Sequence, residues 1–217
     1  MNCLINNDNR NVLPGLPDNS IDLILTDPPY KDYQSNRPRV NPRQKKIEEN
    51  DFDLPFFASE CYRLLKSGRH LYCFCDHITF PGIRQALEKA GLEYKNCLVW
   101  VKDNHGSGDL KGNWAPQHEF IIYCSKGKRR ELFTTRPSNV LNFHKVPNEK
   151  YNHGTAKPER LLEKIIEVST QLGEVVLDPY AGVMSTAAAC INTGRKYIMI
   201  EKDPEFFSRG EMRIGEM

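Results

Sequence analysis

The chain of 217 residues predicts an α/β fold: a mainly parallel sheet with helices on both faces. Two observations point there. Short apolar runs of strand length alternate with runs of helical period from one end of the chain to the other. Several strand runs also stop at an acid, with Asp27, Asp178 and Glu201 each following four or more mostly apolar residues. Buried strands that end in a polar turn are the pattern of open parallel sheets, which bind ligands beyond their C-terminal strand ends.

The elements follow in order. Cys3 to Asn6 reads as a short strand and Arg10 to Leu16 as a short helix. Pro17-Asp18-Asn19-Ser20 is a turn, and Ile21 to Thr26 is a buried strand. Lys31 to Asn50 carries Pro38, Pro42 and many charges with no apolar period, so it reads as a long loop. Asp51 to Leu65 has a helical apolar stripe closed by Ser67-Gly68. A strand over Arg69 to Cys75, a helix over Ile78 to Ala90 and a strand over Leu92 to Val101 come next. Lys102 to His118 is rich in Gly, Asn and Asp and reads as loop; Glu119 to Cys124 is a strand; Lys126 to Asn152 is irregular and basic. Lys157 to Leu172 is a helix with Pro158 in its first turn and Gly173 after it. Glu174 to Leu177 is a strand, Ser185 to Asn192 a helix of small residues, Lys196 to Ile200 a strand, and Pro204 opens a last helix. No internal repeat interrupts this order, and the expectation is one domain over residues 1–217.

Bulk properties narrow the class. Hydrophobic residues make up 39% and charged residues 27%, which is globular composition. No apolar stretch is long enough to span a bilayer, and the N-terminus lacks a basic region and cleavage site. The expected location is therefore cytoplasmic. The seven cysteines are irregularly spaced, and Cys73 and Cys75 share one face of a strand, which fits buried free thiols better than a metal site. Net charge is only +2, but cations cluster. Lys31, Arg37, Arg39, Arg43 and Lys45 fall in one loop, and Arg129, Arg130 and Arg136 in another. Such clusters can track phosphates, although either alone is also an ordinary solvated loop.

The most informative segment is Asp27-Pro28-Pro29-Tyr30, placed just past a buried strand. A carboxylate and a backbone carbonyl can both accept hydrogen bonds from an exocyclic amine. Pro29 has no N–H and a fixed φ, and Tyr30 offers a face for stacking a planar base. A second strand end, Leu177-Asp178-Pro179-Tyr180-Ala181-Gly182, combines an acid with a tight turn that lets a ligand approach the backbone. About twenty residues on, Glu201 ends the next strand, the spacing of a nucleotide-binding βαβ unit whose acid accepts ribose hydroxyls.

In this order the motifs resemble those of the amino-group DNA methyltransferases that use S-adenosyl-L-methionine, in their permuted, beta-type group. Asn6 to Asn9 with Leu16-Pro17 is similar to that family's opening segment. Ile21 to Tyr30 resembles its catalytic motif. Glu60 to Gly68 resembles its E-x-x-R-x-L-K-x-G turn, and Val99 to Lys102 the strand before its target-recognition region. His153-Gly154-Thr155-Ala156-Lys157-Pro158 matches H-x-T-x-K-P, and Leu177 to Gly182 its cofactor loop. A catalytic motif ahead of the cofactor loop is the permuted order. The resemblance implies a Rossmann-like, circularly permuted methyltransferase fold. It implies a recognition insertion at about 104–152, and flexibility for the basic loop at about 31–50.

The same resemblance implies roles. Asp27, Pro28, Pro29 and Tyr30 would act on a flipped base. Asp8 would face the adenine end of the cofactor and Glu201, with Lys202, its ribose. Asp178, Tyr180, Ala181, Gly182, Met184 and Thr186 would line its methionine part. His153, Thr155 and Lys157 would lie near its carboxylate, with Lys157 as the counter-charge. Lys31, Arg37, Arg39, Arg43, Lys45, Trp114, His118, Arg129, Arg130 and Arg136 would meet double-stranded DNA. A homodimer is common among such proteins, and no membrane partner is expected.

One residue departs from the family's loop. Met184 stands where a second glycine is usual. If that position needs positive φ, methionine there costs about 1 kcal/mol or more. The implied reaction is methylation of adenine N6. The alternatives are methylation of cytosine N4, a catalytically impaired DNA- or cofactor-binding relative, and an RNA or protein-amide substrate.

Overall fold

A computed structural model describes residues 2–29, 52–105, 111–112, 114–128, 132–147 and 156–217. Among them, eight strands form one sheet: β1 (Cys3–Asn6), β2 (Ile21–Thr26), β3 (Leu65–Cys75), β4 (Leu92–Val101), β5 (His118–Lys126), β6 (Val140–Asn142), β7 (Val175–Asp178) and β8 (Lys196–Glu201). Their order across the sheet is β1-β8-β7-β2-β3-β5-β4-β6. β5 is antiparallel to both neighbours, β3 and β4, while the other pairings are parallel. The helices are α1 (Asn9–Val12), α2 (Leu54–Leu64), α3 (Phe80–Lys89), α4 (Glu159–Ser169), α5 (Ser185–Asn192) and α6 (Pro204–Gly215), with a 3-10 turn over Leu13–Gly15.

The sheet separates two apolar cores. On one face Leu23, Leu25, Tyr72 and Val176 pack against Leu161, Leu162, Ile165 and Ile166 of α4 and the small residues of α5. On the other, Ile21, Ile24, Leu71 and Ile122 meet Phe57 and Leu64 of α2 and Ile83 and Leu87 of α3. The alternation along β2 sends successive side chains to opposite cores, as the period of a strand requires. Cys61, Cys73, Cys75 and Cys124 all lie buried in the second core as free thiols. Burial holds the Cys61 and Cys73 thiols well above their usual pKa, so they behave as small apolar side chains.

Several boundaries differ from the sequence reading, among them the helix read over Lys157 to Leu172, which ends at Ser169, and the segment Arg10 to Leu16, which divides into α1 and the 3-10 turn; three further differences have clear physical reasons. β3 starts directly at Leu65, because Ser67-Gly68 is absorbed into the strand: Gly68 takes φ 79° and the β2–β3 register shifts between Ile21 and Leu23. Pro158 caps α4 rather than sitting inside it, in extended backbone that suits proline. β6 breaks the stretch read as irregular, pairing three residues with Val99–Val101 at the sheet edge. Three residues are too few to show a period.

The E-x-x-R segment has a structural task here. Arg63 on α2 pairs with Glu60 at 2.7 Å and donates to Leu13 O at 2.7 Å and Leu16 O at 2.8 Å, closing the carbonyls of the 3-10 turn. On the sheet's opposite end from Asp27, Asp22 is buried and accepts from Lys66 (2.9 Å), Arg69 (2.8 Å) and the Val175 amide (3.0 Å), stitching β2 to β3 and β7. Removing it would leave a nearly buried guanidinium and a backbone N–H short of an acceptor. Asp22→Ala is expected to destabilise the fold by about 3 kcal/mol, measured as a lower urea midpoint; a change under about 1 kcal/mol would mean that Glu174 alone satisfies Arg69.

Candidate active site

Parallel pairing brings the C-terminal ends of β2, β3, β7 and β8 to one edge of the sheet, carrying Asp27, Asp178 and Glu201. Because β5 runs the other way, its first residues, His118 and Glu119, arrive at the same edge. Lys102, just past β4, and Lys157, just before α4, complete the cluster.

Four alternating charges meet there. The Lys157 ammonium donates to Asp27 Oδ2 and lies 3.2 Å from Glu119 Oε2. The other Glu119 oxygen faces Lys102 at 2.6 Å. Each lysine also sits over an aromatic face, Lys157 over Phe74 (5.0 Å) and Lys102 over Trp100 (5.1 Å). Burial alone would push the Glu119 carboxyl up, but Lys157 and Lys102 outweigh it and hold the group below its usual range, hence ionised. Lys157, expected near a cofactor carboxylate, bridges Asp27 and Glu119. Glu119 and Lys102 were not singled out as site residues.

The second half of the edge is built around Asp178. Its oxygens accept from Thr26 Oγ1 (2.8 Å), Thr186 Oγ1 (2.6 Å) and the Tyr180 amide (3.1 Å). Thr26 immediately precedes Asp27, so this carboxylate ties the end of β2 to the loop 179–184. The Tyr180 ring packs against Phe52 and Phe57, fixing the turn from outside. Gly182 takes φ 52° and donates its amide to Glu201 Oε2 at 2.7 Å, while Asp203 N donates to Oε1 at 2.8 Å. Asp8 caps α1, pairs with Arg10 at 2.6 Å and lies 3.4 Å from Lys202; the Arg10 hydrogen bond holds its carboxyl well below the usual range.

Met184 also adopts left-handed backbone, φ 61° and ψ 34°, at the start of α5. The position does require positive φ. Its side chain is fully buried and turns away from the loop into the first core. Glu201 is a strand-ending acid that can accept vicinal hydroxyls, and Gly182, at φ 52°, leaves the loop backbone beside it without a Cβ, so these residues fit a ligand carrying a ribose.

The remaining expected residues divide. Trp114 is 93% exposed on the connection between β4 and β5, which rises from the same edge as Asp27. His118 is exposed at the start of β5 with its ring on Phe120. Arg136, at φ 38°, lines a cavity of about 510 Å3 beside the C-terminal half of α4, with Lys164 and Val168. That places it away from the edge carrying Asp27. Tyr30, Lys31, Arg37, Arg39, Arg43, Lys45, Arg129, Arg130, His153 and Thr155 lie outside the described residues.

Comparison with known proteins gives this edge a family. The profile of the DNA methylases modifying amino nitrogens, N6 and N4, matches residues 21–211, and the chain belongs to that family. It is 30% identical to a DNA adenine methyltransferase, YhdJ, of Escherichia coli (strain K12), over 97% of this chain and 82% of that protein. It is also 30% identical to the type II methyltransferase M.HpaI of Haemophilus parainfluenzae, over 93% of this chain and 70% of the relative. Among solved structures, a complex of M1.HpyAVI with SAM superposes with a TM-score of 0.77 at 25% identity, covering 98% of this chain and all of that one. The cytosine-N4-specific PvuII DNA methyltransferase shares the fold, with a TM-score of 0.79 at 17% identity.

Burial and the neighbouring Asp27 charge push the Asp178 carboxyl up, to about 6, against its threonine and amide donors. A carboxyl whose folded pKa lies above its unfolded value of about 4 binds more protons folded than unfolded between the two, so stability falls as pH rises through that window. Asp178→Asn is expected to flatten the stability curve between about pH 4 and pH 6, read as urea midpoints. An unchanged slope would assign the raised proton affinity to another group.

Proposed function

We propose that this chain methylates N6 of adenine in duplex DNA, with S-adenosyl-L-methionine as methyl donor. The observation that carries the reading is the meeting of Asp27 with the Asp178 loop at one sheet edge, joined through Thr26. Chemistry and cofactor elements are thereby held side by side although 150 residues separate them in the chain.

The cofactor supplies a methyl group on a sulfonium, activated for displacement. Glu201 would accept its ribose hydroxyls, Asp8 and Lys202 would frame its adenine end, and the backbone of residues 179–184 would follow its methionine part. Asp27 and the Pro28 carbonyl accept hydrogen bonds from the adenine amine. That nitrogen's lone pair is delocalised into the ring; two acceptors favour a more tetrahedral nitrogen whose lone pair points at the methyl carbon. Methyl transfer would form the C–N bond as the C–S bond breaks and release a neutral thioether, and the amine proton, acidic only once the nitrogen carries positive charge, would pass to the Asp27 carboxylate already accepting its hydrogen bond. Positioning and electrostatics do most of the work. Lys157 contacts one oxygen of Asp27, holding the carboxylate at the edge of the sheet. Glu119, backed by Lys102, holds Lys157 in place.

The target atom is out of reach inside a duplex, so the adenine flips into the site, where Tyr30 is the stacking partner. Recognition falls to the insertion at about 104–152, which includes the exposed Trp114, and to the basic loop at about 31–50.

Nucleoside mass spectrometry on DNA from a methylation-deficient bacterial host tests the reading. The wild-type chain is expected to leave N6-methyladenine and Asp27→Ala none. N4-methylcytosine as the sole product would overturn the choice of base. Glu119→Gln is expected to lower kcat by up to about 100-fold, the effect of misplacing a reacting group by about 1 Å, with little change in KM for DNA. An unaltered kcat would remove Glu119 from the site.

A further inference from the structure

The left-handed methionine in the cofactor loop has a counterpart on the last helix. α6 is largely exposed, and Gly210 is its buried residue. A Cβ added to Gly210 would overlap Met184 Cγ and press to 3.1 Å on the backbone carbon of Val183. Gly210 is thus the seat into which the Met184 side chain turns, which is how a side chain with a Cβ is carried at φ 61° and still fully buried.

One turn on, Arg213 closes the arrangement. Its guanidinium donates to Val183 O at 2.9 Å and to Ser185 Oγ at 3.1 Å, and it pairs with Glu159 at 2.5 Å. Its side chain is 9% exposed. Glu159 opens α4 two residues after Lys157, so one planar fork fixes the loop around Met184 and the segment carrying Lys157 in a single frame. The start of α6 is anchored to the same site, because Asp203 both caps the helix and donates its amide to Glu201.

We propose that α6 is a clamp on the methyl-donor loop, with Arg213 as a positioning residue and Gly210 as the seat that lets Met184 replace the family's glycine. The inference rests on the cofactor reading above. The clamp acts on donor binding, because its contacts reach Val183, Ser185 and Glu159, which border the donor loop and the start of α4.

Calorimetry of S-adenosyl-L-methionine binding to the purified full chain, with steady-state kinetics alongside, tests it. Arg213→Gln is expected to raise both Kd and KM for the donor about tenfold, the scale of coupling between contiguous elements, with kcat near wild type; Arg213→Lys recovers part of the loss. Gly210→Ala is expected to weaken donor binding, and Met184→Gly introduced alongside it to restore binding, because the overlap is gone and glycine suits the left-handed backbone. Donor affinity within twofold of wild type in both Arg213→Gln and Gly210→Ala overturns the clamp. So does a fall in melting temperature with no change in Kd. Where Arg213→Gln does not fold, Glu159→Gln, which removes only the far partner, is read by the same criterion. A wild-type chain that binds no donor while these variants behave alike overturns the cofactor reading and the clamp together.

Discussion

Everything at the reactive edge depends on one buried carboxylate. β2 and β7 are bridged only at Leu23–Val176 and Ile24–Leu177. Beyond that short ladder, the strand that delivers Asp27 and the loop that follows β7 are held together by Asp178, shared between Thr26, Thr186 and the Tyr180 amide. A carboxylate in that position is expensive to bury, and three donors offset the expense without a cation. A cation there would compete for Asp27. Hydroxyl and amide donors satisfy Asp178 and leave the one nearby ammonium, on Lys157, to its neighbour.

Lys157 then becomes the centre of an alternating row, with Asp27 and Glu119 on either side and Lys102 behind. Two negative and two positive groups cancel in sum, which makes partial burial tolerable, and Glu119, between two ammonium groups, stays ionised. The aromatic faces of Phe74 and Trp100 serve as low-dielectric floors under the two ammonium groups. Such a row is stiff: displacing Lys157 toward either acid weakens its hold on the other.

Much of this was legible in the chain. The strand-ending acids, the alternation of runs and the order of motifs placed Asp27, Asp178 and Glu201 at one edge, since parallel strands share a C-terminal side. The helix Ser185–Asn192 was read to the residue. What stayed hidden depends on direction and partner, which no local pattern carries. Glu119 opens a strand, and in a parallel strand it would lie at the far edge; only the antiparallel course of β5 brings it beside Lys157. Likewise the departure at Met184 was visible as a missing glycine, but its remedy lay 26 residues on, in a helix whose Gly210 looks like an ordinary helix-weakening residue. Lys157 stood in the expected motif, yet its contacts follow from where Glu119 and Asp27 meet and not from the motif's own neighbours.

The permuted order of strands has a consequence for the chain as it is made. β2 lies at the centre of the sheet between β3 and β7, and β7 leaves the ribosome some 150 residues after β2. Until then one edge of a mostly apolar strand has no ladder partner and is open to pairing with other chains. Asp27 is meanwhile present without the loop, lysine or last helix that complete its surroundings. A chain that stops before Lys157 therefore lacks the groups that surround Asp27 in the folded protein, and the assembly that ends its exposure to aggregation is the same one that completes this edge.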